Sequence, residues 1–213
     1  MKEKAMLSTG YYEIDDETKK KISSVSEIFY LKDLHQRKLI LPENIEQESV
    51  DDPIRHILQY NREDAGVPVE ERKPILLYLT SDGGDVDAGF ALVDAIITSK
   101  TPVYTVNLGY WYSMAFLIGI AGHKRFAMPN AKFLLHDGTH FTYGSSSKVQ
   151  DQMEFQRRAE QRIKQHVLDH TAITGREYDK KLRIEWYMFA DEAKAKGIVD
   201  AIIGEDCDID VIV

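Results

Sequence analysis

The chain is 213 residues long, 43% apolar and 29% charged, a soluble globular composition with room for one domain and a sizeable core. Its net charge is −8, and the one basic run, Lys19-Lys20-Lys21, directly follows Asp15, Asp16 and Glu17, so the clustered basic face of a nucleic-acid binder is excluded. The longest apolar stretch, Met114 to Ala121, is far too short to span a bilayer, and Cys207 is the single cysteine, so no disulfide staples the fold.

Residues 1–25 are polar, carry Tyr11 and Tyr12, and read as an appended arm. The chain turns acidic where an export signal needs an apolar core, so a reducing, cytoplasmic setting is expected. Lys38 to Ile45 reads as a strand interrupted by Pro42, hence an edge or a strand end. Ser49 to Asp52 resembles a capping box, and Val50, Ile54, Ile57 and Leu58 follow at helical spacing. Asn61 to Lys73 reads as a polar surface loop. Ile75 to Thr80 is a short continuous apolar run, the pattern of a strand buried on both faces of a parallel sheet. After a turn at Asp82 to Asp85, Val86, Phe90, Val93 and Ile97 recur at helical spacing.

Val103 to Leu108 is a second buried strand, which Gly109 is expected to end. Met114 to Ala121 is a buried helix that Gly122 can terminate. Arg125 to Met128 and Lys132 to Leu135 are short strands around Pro129 and Asn130. Ser147 to Thr171 is a long, mostly polar helix with sparse apolar positions at Val149, Met153, Phe155, Ile163 and Val167. Such a helix leaves the globule and meets another chain. A short helix from Asp191 to Lys196, closed by Gly197, and a strand from Ile198 to Ile203 complete an α/β domain.

Three features bear on chemistry. The paired glycines of Ser81-Asp-Gly-Gly84 let the backbone take positive φ and approach a ligand, although a plain strand-to-helix turn has the same composition. Ser113, between a strand and a helix, is by itself an N-cap serine. Its surroundings lack the G-x-S-x-G pattern of α/β-hydrolases. His136 closes a strand, where a structural histidine is commoner than a catalytic one. Each is weak alone; taken together in this order (glycine turn, serine, histidine, then an acid) they include every part that a serine nucleophile with a histidine base and an oxyanion site requires, although the chemistry itself fixes no chain order.

The segment YLTSDGGDVDAGFALVDAI resembles the S-P-G-G turn and following helix of the Clp protease proteolytic subunit family. GYWYSMAFLIGIAGHKRFAMPNAKFLLHDG is similar to that family's G-x-A-S-M nucleophile segment, P-N turn and M-I-H strand. HTAITGREYDKKLRIEWYMFADEAKAKGIVDAII is similar to its C-terminal part. The resemblance runs from about Arg37 to Ile203 and implies a ClpP/crotonase-type spiral of ββα units with Ser147 to Thr171 as an extended handle helix. It implies one protease domain over residues 26–213, with Ser113 as nucleophile, His136 as base, and the Gly84 and Met114 N–H groups as oxyanion hole. It further implies peptide or unfolded-protein substrates, a homo-oligomeric ring that stacks into a double ring, and an AAA+ ATPase unfoldase as partner. No cofactor or metal is expected, and without G-x-x-x-x-G-K-[ST] the chain is not expected to bind ATP itself.

The sequence departs from the family at the third triad member. Glu185 falls where the family has Asp, with Asp179 as the runner-up, and the segment leading to it is shorter than usual. Asp82 replaces the usual Pro, which is unfavourable for an oxyanion if its charge points inward. Tyr110, Trp111 and Tyr112 replace small residues, giving either a bulkier core or subunit contact, or a narrowed substrate channel. His140, in the segment that lines the family's peptide groove, is expected to be a groove or contact residue. These departures also motivate a ring subunit that does not cut. A third reading, an acyl-CoA-handling enzyme of the same broad fold, is opposed by Ser113 and His136 standing in family register. His166 and His170, spaced four apart, form a candidate metal pair lacking the Glu of H-E-x-x-H.

Overall fold

The computed structural model describes residues 24–213, so the expected N-terminal arm lies outside the described residues but for Ser24 and Val25. Contacts divide the chain after Lys38, and Leu39–Val213 is one compact unit. Before it stands helix α1 (Val25–His35), capped where Ser24 Oγ accepts from the Glu27 N–H at 3.2 Å.

The compact unit carries the α/β architecture that the alternation of apolar patterns predicts. Its first strands are β1 (Lys38–Leu41) and β2 (Asn44–Ile45), separated where Pro42 interrupts the ladder. Helix α2 (Gln47–Glu63) starts earlier than expected, because Ser49 is not the cap but the third helical residue. Its Oγ reaches back to accept from the Glu46 N–H at 2.8 Å. The helix also runs into the segment read as a loop.

Next come β3 (Ile75–Ser81), the two-residue β4 (Gly83–Gly84), α3 (Val86–Thr98) and β5 (Val103–Tyr112). The sequence is completed by α4 (Met114–Ile120), β6 (Lys124–Ala127), β7 (Lys132–Leu135), α5 (Ser146–His170), α6 (Gly175–Lys181), β8 (Trp186–Phe189), α7 (Ala190–Ala195) and β9 (Ala201–Ile202). The main sheet runs β1-β3-β5-β6-β9, with β1 at an edge as Pro42 suggested, and β7 and β8 extend it from β5. Pairings from β3 through β5 to β6, β7 and β9 are parallel, and β7–β8 is antiparallel. Ile75, Leu77, Leu79, Val103 and Val106 are fully buried, as strands covered on both faces require.

Several boundaries differ from the sequence reading. Gly109 does not end β5: the register with β3 jumps from Leu79↔Asn107 to Ser81↔Trp111, and Gly109 lies in the bulge between. The buried Asn107 side chain replaces the missing ladder bonds, accepting from the Gly109 N–H at 3.0 Å and donating to Lys132 O at 3.0 Å. The last strand is shorter than Ile198 to Ile203. Both α6 and β8 escaped the sequence reading. Among the described residues, no helix is long and apolar enough to cross a membrane.

Candidate active site

Ser113 occupies the single-residue elbow between β5 and α4. It has φ 53° and ψ −120°, one of two non-glycine residues with positive φ among those described. Such a conformation costs about 1–3 kcal/mol and persists only where surrounding packing imposes it. Here the following helix is buried over all of Met114 to Ile120, and Trp111 before it is fully buried. The Ser113 N–H donates to Leu134 O at 3.0 Å, tying the elbow to β7. Ser113 stands at the N-cap of α4, as its position suggests, but its side chain makes no capping bond. The strand–turn–helix geometry is that of a nucleophile elbow, reached without its glycine motif.

The glycine turn lies against this elbow. Gly83 (φ 95°) passes so close that an added Cβ would stand 2.8 Å from Met114 N and 2.7 Å from Tyr112 O. Its own N–H donates to Ser81 Oγ at 3.1 Å. Gly84 (φ 146°) pairs with Ile45 in the parallel β2–β4 ladder, where an added Cβ would overlap Ile45 O. The bond to Ile45 O comes from the Asp85 N–H at 2.8 Å. Met114 begins α4, and its N–H belongs to the helix's unpaired first turn. Asp82 is exposed, so its charge is not buried beside these donors.

Strand register brings the histidine and one acid together. Tyr112 pairs with Leu134 in β5–β7, and Leu134 with Tyr187 and Leu135 with Trp186 in β7–β8. One step further, the antiparallel register sets His136 opposite Glu185. Paired residues and residues two apart share a face, so His136, Glu185, Tyr187 and Tyr112 all project on one side. His136 Nδ1 stands 4.0 Å from Glu185 Oε1, an ion-pair distance slightly beyond hydrogen-bond reach. The other oxygen, Oε2, accepts from the Tyr187 hydroxyl at 2.8 Å. That bond to a carboxylate raises the Tyr187 pKa. The runner-up, Asp179, is instead held by Lys164, whose ammonium donates to both carboxylate oxygens at 2.6 and 2.8 Å.

The three aromatics ahead of Ser113 divide. Trp111 is core, packed edge-on against Phe133 at 5.4 Å between ring centroids. Tyr110 and Tyr112 are half-buried with rings 4.8 Å apart, and Tyr112 meets the Tyr187 ring edge-on at 5.8 Å. Tyr110 donates to Glu43 Oε1 at 3.1 Å, and burial, this bond and the Asp82 charge raise its pKa. Nothing in the sequence marked Tyr187, because an alternating surface tyrosine in an unrecognised strand carries no motif.

The remaining histidines have structural partners. His140 folds onto α5, accepting from the Gln156 amide at 2.7 Å, with Glu160 at 3.9 Å. His166 is buried, and its Nε2–H donates to Leu117 O at 2.9 Å. Burial lowers its pKa. His170 Nδ1–H donates to His166 O at 2.8 Å, so each histidine of the candidate metal pair has a ring nitrogen committed to backbone.

A family model described as Clp protease matches residues 20–206. The chain is 29% identical over 196 residues to the ATP-dependent Clp protease proteolytic subunit 2 of Treponema denticola, covering 91% of this chain and 95% of that protein. It is 25% identical over 184 residues to the protein of the same name from Treponema pallidum, covering 85% and 89%.

Proposed function

Because this chain belongs to the Clp protease family, we propose that it is a serine endopeptidase in which Ser113 is the nucleophile, His136 the general base and Glu185 the acid. The elbow at Ser113 carries this reading. A strained non-glycine residue, its hydroxyl uncommitted to the helix it precedes, directly follows β5, the strand that pairs with β7, and β7 leads into a histidine that lies 4.0 Å from a carboxylate.

In the first step His136 takes the Ser113 hydroxyl proton as Oγ attacks the scissile carbonyl. The tetrahedral oxyanion is held by the N–H groups of Gly84 and Met114, each worth roughly 3–4 kcal/mol to the transition state. The amine leaves with the proton from His136, and water then hydrolyses the ester by the same route. Glu185 orients the imidazole. Its 4.0 Å separation fits a site without substrate, where such contacts are long and close in the complex.

The substrates are peptides and unfolded proteins, cut inside a homo-oligomeric ring. The outer part of α5 supports ring assembly, since Met153 and Phe155 are 54% and 64% exposed on a polar helix. Unfolding is left to an ATP-driven partner: the curated relatives are named ATP-dependent, and this chain lacks a phosphate-binding loop motif. The unpaired Cys207 fits the reducing cytoplasm. Sedimentation at micromolar concentration is expected to show a ring; a strict monomer would refute the assembly.

The decisive test is Ser113→Ala. It is expected to abolish hydrolysis of a short fluorogenic peptide and labelling by a fluorophosphonate, and normal turnover by the variant would sink the mechanism. One observation favours a second reading, a ring subunit that does not cut: Glu185 is 60% exposed and not in hydrogen-bond contact with His136. An assembled protein that never labels at Ser113 would establish it.

A further inference from the structure

We propose that Tyr187 is a positioning residue that holds the Glu185 carboxylate for His136, and that Tyr112 holds Tyr187 in turn. This rests on the triad reading above. A glutamate reaches its target through three rotatable bonds, and an exposed one gains little from a single contact at 4.0 Å. Glu185 therefore needs a second constraint if one oxygen is to stay aimed at an imidazole.

Tyr187 supplies it from the adjacent position on the same face of β8. The strand alternates, with Trp186 and Met188 buried and Tyr187 and Phe189 exposed, so residues 185 and 187 project together. The hydroxyl donates to Oε2 at 2.8 Å and leaves Oε1 as the oxygen facing Nδ1. The two carboxylate oxygens thus have separate partners. A phenol is rigid beyond χ2, so fixing its ring fixes its hydroxyl, and the ring meets Tyr112 edge-on at 5.8 Å. Tyr112 directly precedes the nucleophile, and both tyrosines flank Leu134 in register. The chain of contacts consequently ties the acid to the backbone that carries Ser113. The raised Tyr187 pKa keeps the phenol a donor throughout the neutral range.

The test is a double-mutant cycle on the assembled protein, with a fluorogenic peptide, combining Tyr187→Phe and Glu185→Gln. Losing one hydrogen bond to a charged group is expected to lower kcat about tenfold. KM is expected to stay unchanged, because the role proposed for Tyr187 is to position the carboxylate and not to bind substrate. Tyr187→Phe in the Glu185→Gln background is expected to add no further loss, since the hydroxyl acts only through the carboxylate. Tyr187→Leu, which also lacks the hydroxyl, should match Tyr187→Phe in kcat. Unchanged kcat in Tyr187→Phe would overturn the proposal, as would a full second tenfold loss on Glu185→Gln or a change confined to KM. Ser113→Ala run beside them separates the two ideas: activity surviving in Ser113→Ala refutes the triad and this proposal together. Activity abolished there but intact in Tyr187→Phe refutes the positioning role alone.

Discussion

On the serine side of the site, the elbow is enclosed: all of α4 is buried, Trp111 is buried, and Gly83 passes within van der Waals distance of the turn. On the acid side, Glu185 and Tyr187 are both more than half exposed and are joined by a single hydrogen bond. The first region fixes its key atom by excluded volume, the second by polar contacts open to water. Packing holds a conformation that costs energy, whereas exposed hydrogen bonds contribute little to stability and adjust readily. Ser113, the proposed nucleophile, is therefore the rigid reference, and Glu185, the proposed acid, is the more adjustable group. This fits the proposed use of Glu185: an exposed side chain accommodates an added methylene more readily than a packed one.

The comparison is broken most severely from the serine side. Gly83→Ala places a Cβ 2.8 Å from Met114 N and Ser113 Cβ, at φ 95° that alanine rarely adopts. The obstructing atoms are mainly backbone, so no side chain can rotate away. Strain and overpacking together are expected to cost about 2–6 kcal/mol. Tm should fall by roughly 10 °C. Peptide hydrolysis should be lost, because the displaced groups include the Met114 N–H. An active variant with an unchanged melting curve would show that the elbow is not held by this contact. Tyr187→Phe, by contrast, should leave Tm within the error of the measurement while lowering kcat.

The two sides were also unequally legible in the sequence. The buried runs at Ile75 and Val103 announced a parallel sheet, because only strands covered on both faces are apolar without alternation. The helix at Val86 was legible too, although its buried face is Ala88, Gly89, Leu92, Val93 and Ile96, with Ile97 turned outward. The strand β8 was not legible: Tyr187 and Phe189 on the exposed face are as apolar as their buried neighbours, so the period of two is hidden. Helix α6 was missed because it buries only Tyr178. Glu185 was preferred to Asp179 from its place before Glu192 and Ala193, without β8; continuing the register of that strand by one residue sets Glu185 opposite His136, while Lys164 holds Asp179. The positive φ of Ser113 had no sequence signal, because the room for it comes from a glycine thirty positions earlier.

A smaller effect sharpens the picture of the packed side. Trp111 is fully buried, and its ring lies so close to Gly119 that an added Cβ there would overlap it. Its indole Nε1–H has no hydrogen-bond partner among the described residues, a buried omission that costs about 1–3 kcal/mol. Trp111→Phe removes that cost and keeps the edge-on contact with Phe133, but it loses part of the ring and leaves a small void worth ~1–2 kcal/mol. The two terms oppose each other, so the net is expected to lie between about 2 kcal/mol of stabilisation and about 1 kcal/mol of loss. Trp111→Ala has no such compensation and should cost about 3–5 kcal/mol. Chemical denaturation of both variants measures the difference. A Trp111→Phe cost equal to that of Trp111→Ala would mean that the indole N–H has a partner, and that the elbow is held by a hydrogen bond as well as by volume.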